Sequence, residues 1–235
     1  ITMTRILALD TSGSACSVAL WSDAGLLIGH EETAQRQHTQ RLLPMIKSLL
    51  LEADVNMSSL DAIAYGRGPG SFTGIRIAAG VAQGLAFGID CPVIPVSTLA
   101  ALALRMYQPS EAAQTAFACC LDARMGEVYW GEYIIDETHA DLALPQGPER
   151  VCAPHQVAVV NATFVAGGSG MLVADMPAAI IAAAQSVNPN VQPRALEMAR
   201  LAGADFALGR QCAPEDALPV YLRDEVTWQK LPRYQ

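Results

Sequence analysis

Tyr65-Gly66-Arg67-Gly68-Pro69-Gly70-Ser71-Phe72-Thr73-Gly74-Ile75-Arg76 is bracketed by an apolar run, Leu60 to Tyr65, and by a run of small residues, Ile75 to Phe87. That pattern predicts a strand, a glycine-rich turn and a helix. Four glycines within nine positions (Gly66, Gly68, Gly70, Gly74) permit close backbone approach, and Pro69 stiffens the turn. Ser71 or Thr73 is placed to cap the helix. Two readings stand: backbone amides at a helix N-terminus that hold an anion, or a tight turn that holds nothing. The stretch is not a P-loop, because no Gly-Lys-Ser/Thr closes it, nor a Gly-x-Gly-x-x-Gly fingerprint.

Upstream, Arg5 to Leu9, Cys16 to Trp21 and Leu26 to Glu32 read as three strands joined by a polar turn and a hairpin loop. The first ends in Asp10-Thr11-Ser12-Gly13-Ser14. Either this is an Asx turn, or it is similar to the first phosphate loop of the actin, sugar-kinase and Hsp70 fold. His38 to Ala53 is helical. Leu42, Ile46, Leu49, Leu50 and Ala53 share one face, while Leu43, Met45 and Leu51 lie off that stripe. Pro44 puts the helix start near Gln40 or Arg41, or a bend there. The off-stripe residues widen the apolar surface: either a sheet and a neighbouring helix cover it, or it is a partner surface.

The helix after the glycine-rich turn carries Gly80, Gly84 and Gly88 at every fourth residue. Each interior glycine costs roughly 1 kcal/mol relative to alanine. Another helix or sheet must therefore approach closely, from the same chain or from a partner. Cys91 to Val96 reads as a buried strand, with Ser97 or Thr98 capping a helix to Met106. A boundary within 108–114 divides a front lobe, residues 1–107, from a second lobe, residues 108–235, whose last segment is expected to pack back on the first. Thr115 to Leu121 is a second apolar strand ending in Asp: Asp122-Ala123-Arg124-Met125-Gly126. Glu127 to Tyr133 returns as a strand. Strand, Asp, turn, strand thus occurs twice, a faint internal repeat. Residues 136–156 read as loop. Ala166-Gly167-Gly168-Ser169-Gly170 follows a strand and is either a turn or similar to the adenosine-contact loop of the same fold. Arg194 to Leu208 is helical.

The 235 residues are about half apolar and carry a formal charge of −8. An acidic chain without a basic run is a poor nucleic-acid binder by itself. No uninterrupted apolar run of membrane-spanning length and no secretory leader pattern is present, so a cytoplasmic, membrane-free protein is expected. None of the six cysteines forms a Cys-x-x-Cys pair, and they read as reduced core residues. The four histidines show no ligand spacing, so no metal is expected.

Gly68-Pro69-Gly70-Ser71-Phe72-Thr73-Gly74-Ile75-Arg76-Ile77 resembles the signature of the bacterial TsaB (YeaZ) family. Those proteins act in forming threonylcarbamoyladenosine at adenosine 37 of tRNAs that read codons starting with adenine. Further segments match in family order: Leu9-Asp10-Thr11-Ser12, His38 through Leu43-Pro44, Asp122 through Tyr129, and Pro219-Val220-Tyr221-Leu222-Arg223 with the Trp228 to Pro232 tail. Residues 136–190 match only loosely.

The resemblance implies an α/β, two-lobed actin-like (ASKHA) fold, with mixed sheets flanked by helices. It implies a non-catalytic paralogue of TsaD, the transferase subunit. TsaD-type catalysts hold a metal through two histidines at helical spacing; here His38 is followed four residues on by Leu42, so catalysis is not expected. It also implies docking to a TsaD-like subunit, with a TsaE-like ATPase joining through that complex. tRNA would be met only within the complex, and the isolated chain would form a homodimer through the same surface. Carried over, the contact set is His38, Leu42, Leu43, Met45, Ile46, Leu49, Arg76, Gly80 and Gly84. Asp10, Thr11, Ser12, Asp122, Gly167 and Gly168 would line a vestigial nucleotide cleft. No cofactor is expected, with weak ATP or ADP binding left open. The competing class is a free-standing kinase or ATPase of the same fold, with Asp10 facing magnesium. Such an enzyme needs cations around the transferring phosphoryl group, and near these loops the chain offers only Arg5 and Arg124.

Overall fold

The computed structural model describes residues 3–33, 37–108, 115–136 and 141–223. The first sheet contains β1 (Arg5–Asp10), β2 (Ala15–Ser22), β3 (Leu27–Thr33), β4 (Ala62–Gly68) and β5 (Val93–Ser97), in the order β3-β2-β1-β4-β5. β2 runs antiparallel to β1 and β3, while β1, β4 and β5 are parallel. The second sheet contains β6 (Ala116–Arg124), β7 (Glu127–Ile135), β8 (Ala143–Pro145), β9 (Arg150–Cys152), β10 (Phe164–Gly167) and β11 (Val187–Asn188). Its order is β11-β10-β6-β7-β8, with β9 also on β7. β6 has an antiparallel neighbour, β7, on one side and a parallel neighbour, β10, on the other, as β1 has β2 and β4. The repeated strand-Asp-turn-strand pattern is therefore a repeated half-sheet.

Side chains alternate across a strand, and β1 sorts its residues accordingly. Leu7 and Leu9 pack with Val18, Leu20, Ile63 and Tyr65 beneath α1 (His38–Glu52) and α2 (Phe72–Ile89). Ile6 and Ala8 face the other way, toward α3 (Thr98–Met106) and α5 (Ala195–Ala207). The same middle cluster takes in Phe117, Cys119, Leu121 and Tyr133 of the second sheet. The two sheets thus share one helical layer. The far face of the second sheet packs Ala118, Cys120 and Trp130 against Met171 and α4 (Ala178–Ala183). The backbone of Cys212 pairs with Val93, so the chain after α5 returns to the first sheet.

Three expectations need correction. α1 begins at His38, and Pro44 is interior to it. The carbonyl left without a helical donor, that of Gln40, belongs to an exposed residue that water can serve. Met45 is not off the stripe; it is 8% exposed and packs inward. Residues 136–156 are not all loop, because β8 and β9 extend the sheet through β7. The lobe boundary at 109–114 and the Trp228 to Pro232 segment lie outside the described residues. α2 is long and apolar enough by length and composition to cross a membrane, but its buried positions rest on the first sheet.

Candidate functional site

The glycine-rich turn closes on the first loop. Ser71 caps α2, its Oγ accepting from the Gly74 amide at 3.3 Å. The Ser71 amide donates to the Ser12 carbonyl at 2.8 Å, and Thr11 Oγ1 donates to the Gly74 carbonyl at 2.6 Å. A Cβ on Gly66 would overlap the Asp10 carboxylate, and one on Gly74 the Thr11 carbonyl. These glycines are consumed by backbone approach to Asp10-Thr11-Ser12, which favours the turn reading of this stretch over an anion cradle.

Asp10, Thr11 and Ser12 are all buried. Asp10 accepts from the Ser12 amide at 3.1 Å and from Ser12 Oγ at 3.0 Å. Burial pushes the Asp10 carboxyl up to about 7, with the Ser12 bonds pulling the other way. Beside this loop lies a polar hollow of about 320 Å³ lined by Ser14, Glu31, Glu32, Arg105, Asn190 and Gln192 among others. Among the described residues the cation lining it is Arg105, already held by Glu31 at 3.3 Å and by the Gln192 carbonyl at 2.7 Å. A phosphate would meet more acid than base here.

The second loop is closed in the same way. Asp122 accepts from the Arg124 amide at 2.7 Å and pairs with the Arg124 guanidinium at 3.0 Å. The Asp122 amide donates to Ser169 Oγ at 3.1 Å. A Cβ on Gly167 would strike Met106, and one on Gly168 the Cys120 carbonyl. Gly68, the last residue of β4, and Gly168, the residue after β10, share φ of +102°. Among the described residues, no group of three or more His, Cys, Asp or Glu side chains could hold a metal.

The outer face of α1 and α2 is different. A Cβ at Gly80, Gly84 or Gly88 would meet nothing within 4 Å. Among the described residues, nothing in the chain itself accounts for these glycines. They form an open groove along α2, flanked by Phe72, 60% exposed, and Phe87, 61% exposed. Leu43 is half exposed, and Leu43, Leu50, Leu51, Val55 and Leu85 line an adjoining hollow of about 500 Å³. Arg76 stands over the Phe72 ring at 3.5 Å and donates through Nε to Tyr221 Oη at 2.7 Å. His38 opens α1, and its Nε2 is buried without a partner among the described residues.

The carried-over contact set is thus only partly at the surface. Leu42, Met45, Ile46 and Leu49 are turned into the core beneath α1, because they are the sheet-facing stripe of an amphipathic helix. Leu43, Arg76, Gly80 and Gly84 are exposed.

A curated relative from Escherichia coli (strain K12), named tRNA threonylcarbamoyladenosine biosynthesis protein TsaB, is 41% identical over 232 residues, spanning 97% of this chain and 98% of its own. The chain belongs to the TsaB (YeaZ) family. The Haemophilus influenzae TsaB protein is 39% identical, with 97% of each chain covered. The solved structure of YeaZ from Pseudomonas aeruginosa superposes with a TM-score of 0.82 at 43% identity, covering 93% of this chain and all of that one. A family model described as TsaD, tRNA N6-adenosine threonylcarbamoyltransferase, matches residues 30–201. The TsaB assignment and the TsaD-type domain together give the actin-like ASKHA fold, in agreement with the duplicated half-sheets.

Sequence reading missed a part-buried cluster between the lobes of this TsaB-family chain. Glu149 pairs with Arg67 at 3.1 Å, accepts from Tyr133 Oη at 2.5 Å, and is also bonded by Ser97 Oγ. The four come from β4, the β5 end, β7 and a connecting segment, so no local spacing announces them. The segment after residue 217, expected to pack back on the first lobe, runs along it. Tyr65 Oη donates to the Leu218 carbonyl at 3.3 Å, and the Val220 amide donates to the Arg67 carbonyl at 2.8 Å. Arg223 then bonds Glu127 and the Ala123 carbonyl on the second lobe.

Proposed function

We propose that this chain serves tRNA threonylcarbamoyladenosine biosynthesis as a docking subunit and not as the transferase. The role in that modification rests on TsaB-family membership across nearly the whole chain. The docking role rests on one observation: an apolar 18-residue helix spends its outward positions on glycines that meet nothing among the described residues. Glycine in a helix interior is costly, and its use here is to let another helix approach.

The partner is a TsaD-like catalytic subunit, with a TsaE-like ATPase joining through that complex and tRNA met only there. The protein works in the cytoplasm. The cleft supports this reading against a free-standing kinase. Asp10 is held by Ser12 and covered by the glycine-rich turn, and Asp122 is neutralised by Arg124. A phosphoryl-transfer site needs unspent cations and a poised base, and the hollow beside Asp10 offers two glutamates and a paired arginine. No cofactor is held there beyond weak ATP or ADP.

Reconstitution tests the proposal. TsaD-type and TsaE-type subunits with tRNA, threonine, bicarbonate and ATP are supplied with the enzyme that makes the threonylcarbamoyl donor, with and without this chain. Modification is expected to depend on it. Full modification in its absence, or phosphorylation of a sugar or protein acceptor by the isolated chain, would overturn the reading.

A further inference from the structure

Residues 218–223 tie three places together. On the first lobe, the Leu218 carbonyl accepts from Tyr65 Oη and the Val220 amide donates to the Arg67 carbonyl. On the second lobe, the Arg223 guanidinium bonds Glu127 and the Ala123 carbonyl, on either side of the turn between β6 and β7. Between these anchors Tyr221 reaches α2. Its ring lies 5.8 Å from that of Phe72, and its Oη accepts from Arg76 Nε at 2.7 Å. Tyr221 is two residues from Arg223, a span of about 7 Å in extended chain, so the second-lobe anchor sets where its ring can stand.

Phe72, Arg76, Gly80 and Gly84 follow one another at four-residue spacing and share one ridge of α2. Arg76 thus stands at the N-terminal end of the glycine groove. Among the described residues no carboxylate pairs with it. An exposed arginine ordinarily samples many rotamers, and a partner that grips it must freeze them. Here they are frozen beforehand. The guanidinium lies 3.5 Å over the Phe72 ring and 5.3 Å from the Tyr221 ring centre, and Nε is spent on Tyr221 Oη. The two terminal nitrogens are left as a fixed fork that donates to nothing among the described residues.

We infer that residues 218–223 are a positioning strap for the docking face: Tyr221 holds Arg76 in the orientation in which its fork meets an acceptor on the docking subunit, and the Arg223–Glu127 pair holds Tyr221 there from the second lobe. This rests on the reading of the α1–α2 face as a docking face. It makes Tyr221 and Arg223 positioning residues that act through Arg76. It also gives the second lobe a grip on a face built from the helices of the first.

Titration of a TsaD-type subunit with folded variants of the full chain tests this. Tyr221→Phe keeps the ring and removes the acceptor, and is expected to weaken binding about 5-fold; Arg76→Ala is expected to weaken it about 10-fold. In the Arg76→Ala chain, Tyr221→Phe is expected to change affinity less than about 2-fold, because a residue acting through Arg76 has nothing left to act on. Arg223→Glu is expected to weaken binding about 5-fold, and adding Glu127→Arg to restore it to within about 2-fold of wild type. Tyr221→Phe or Arg223→Glu binding as tightly as wild type would overturn the inference, and Gly84→Leu measured alongside says which reading has failed. If Gly84→Leu abolishes binding, the docking face stands and only the strap's role falls; if it too binds normally, the docking face falls and the strap's role with it. A Tyr221→Phe loss of the same size with and without Arg76 would also overturn the inference, since Tyr221 would then touch the partner itself.

Discussion

Thr11 Oγ1 donates a 2.6 Å hydrogen bond to the carbonyl oxygen of Gly74, tying the loop after the first strand to the first turn of α2. Both groups are buried, and the backbone at Gly74 lies too close to Thr11 for any Cβ between them. Gly74→Ala must therefore push the two segments apart. A cost of about 3 kcal/mol is expected in urea unfolding, the range for overpacking with a lost buried bond. A cost under about 0.5 kcal/mol would show that the loop yields.

Gly80→Ala should do the opposite in the isolated chain. Among the described residues nothing lies within 4 Å of the added methyl, and alanine is the better helix former. The expected gain is about 0.5–1 kcal/mol, read from the same urea titration. A loss would mean that the position is packed by its own chain.

Asp10 carries the pH dependence. Its folded value, about 7, lies above the ordinary 3.8, so the folded state holds its proton more tightly than the unfolded chain does. The sign follows from linkage: the protonated group is fully compatible with the fold below about pH 4, and stability falls as pH rises toward 7. Asp10→Asn keeps an acceptor for the Ser12 amide and removes the charge. It should gain on wild type between pH 5 and pH 8, by at most about 3 kcal/mol. Equal offsets at both pH values would contradict this.

Glu149 is the common acceptor for Arg67, Tyr133 and Ser97 between the lobes. Glu149→Ala would leave a guanidinium and a phenol underbonded in a part-buried site, at a cost of about 2 kcal/mol. Tyr133→Phe removes one donor only and should cost about 1 kcal/mol. Melting curves of the two variants check the order, and Tyr133→Phe as the worse of the two would contradict it.

The strands of the first sheet were legible because each is a short apolar run between turn residues, and parallel partners such as β4 are apolar nearly throughout. The two caps at Ser71 and Ser97 were legible from hydroxyls placed before helices. The start of α1 was not, because Pro44 argues against an interior position unless Gln40 is known to face water. The glycine spacing along α2 was visible, but whether a neighbour filled it was not; that is a question of what lies above each Cβ. At Gly66, Gly74 and Gly168 a plain turn and a ligand loop both fitted the sequence, and their approach to Asp10, Thr11 and Cys120 shows where their space goes. Glu149 was silent, since its partners come from distant strands.

The central claim is that the glycine groove of α2 is a docking face. Isothermal titration of a TsaD-type subunit with wild type and with Gly84→Leu, each checked for folding by circular dichroism, tests it most directly. The expected result is a folded variant whose affinity falls at least about 100-fold, since a leucine there holds the partner helix off. A folded Gly84→Leu chain that binds as tightly as wild type would contradict it.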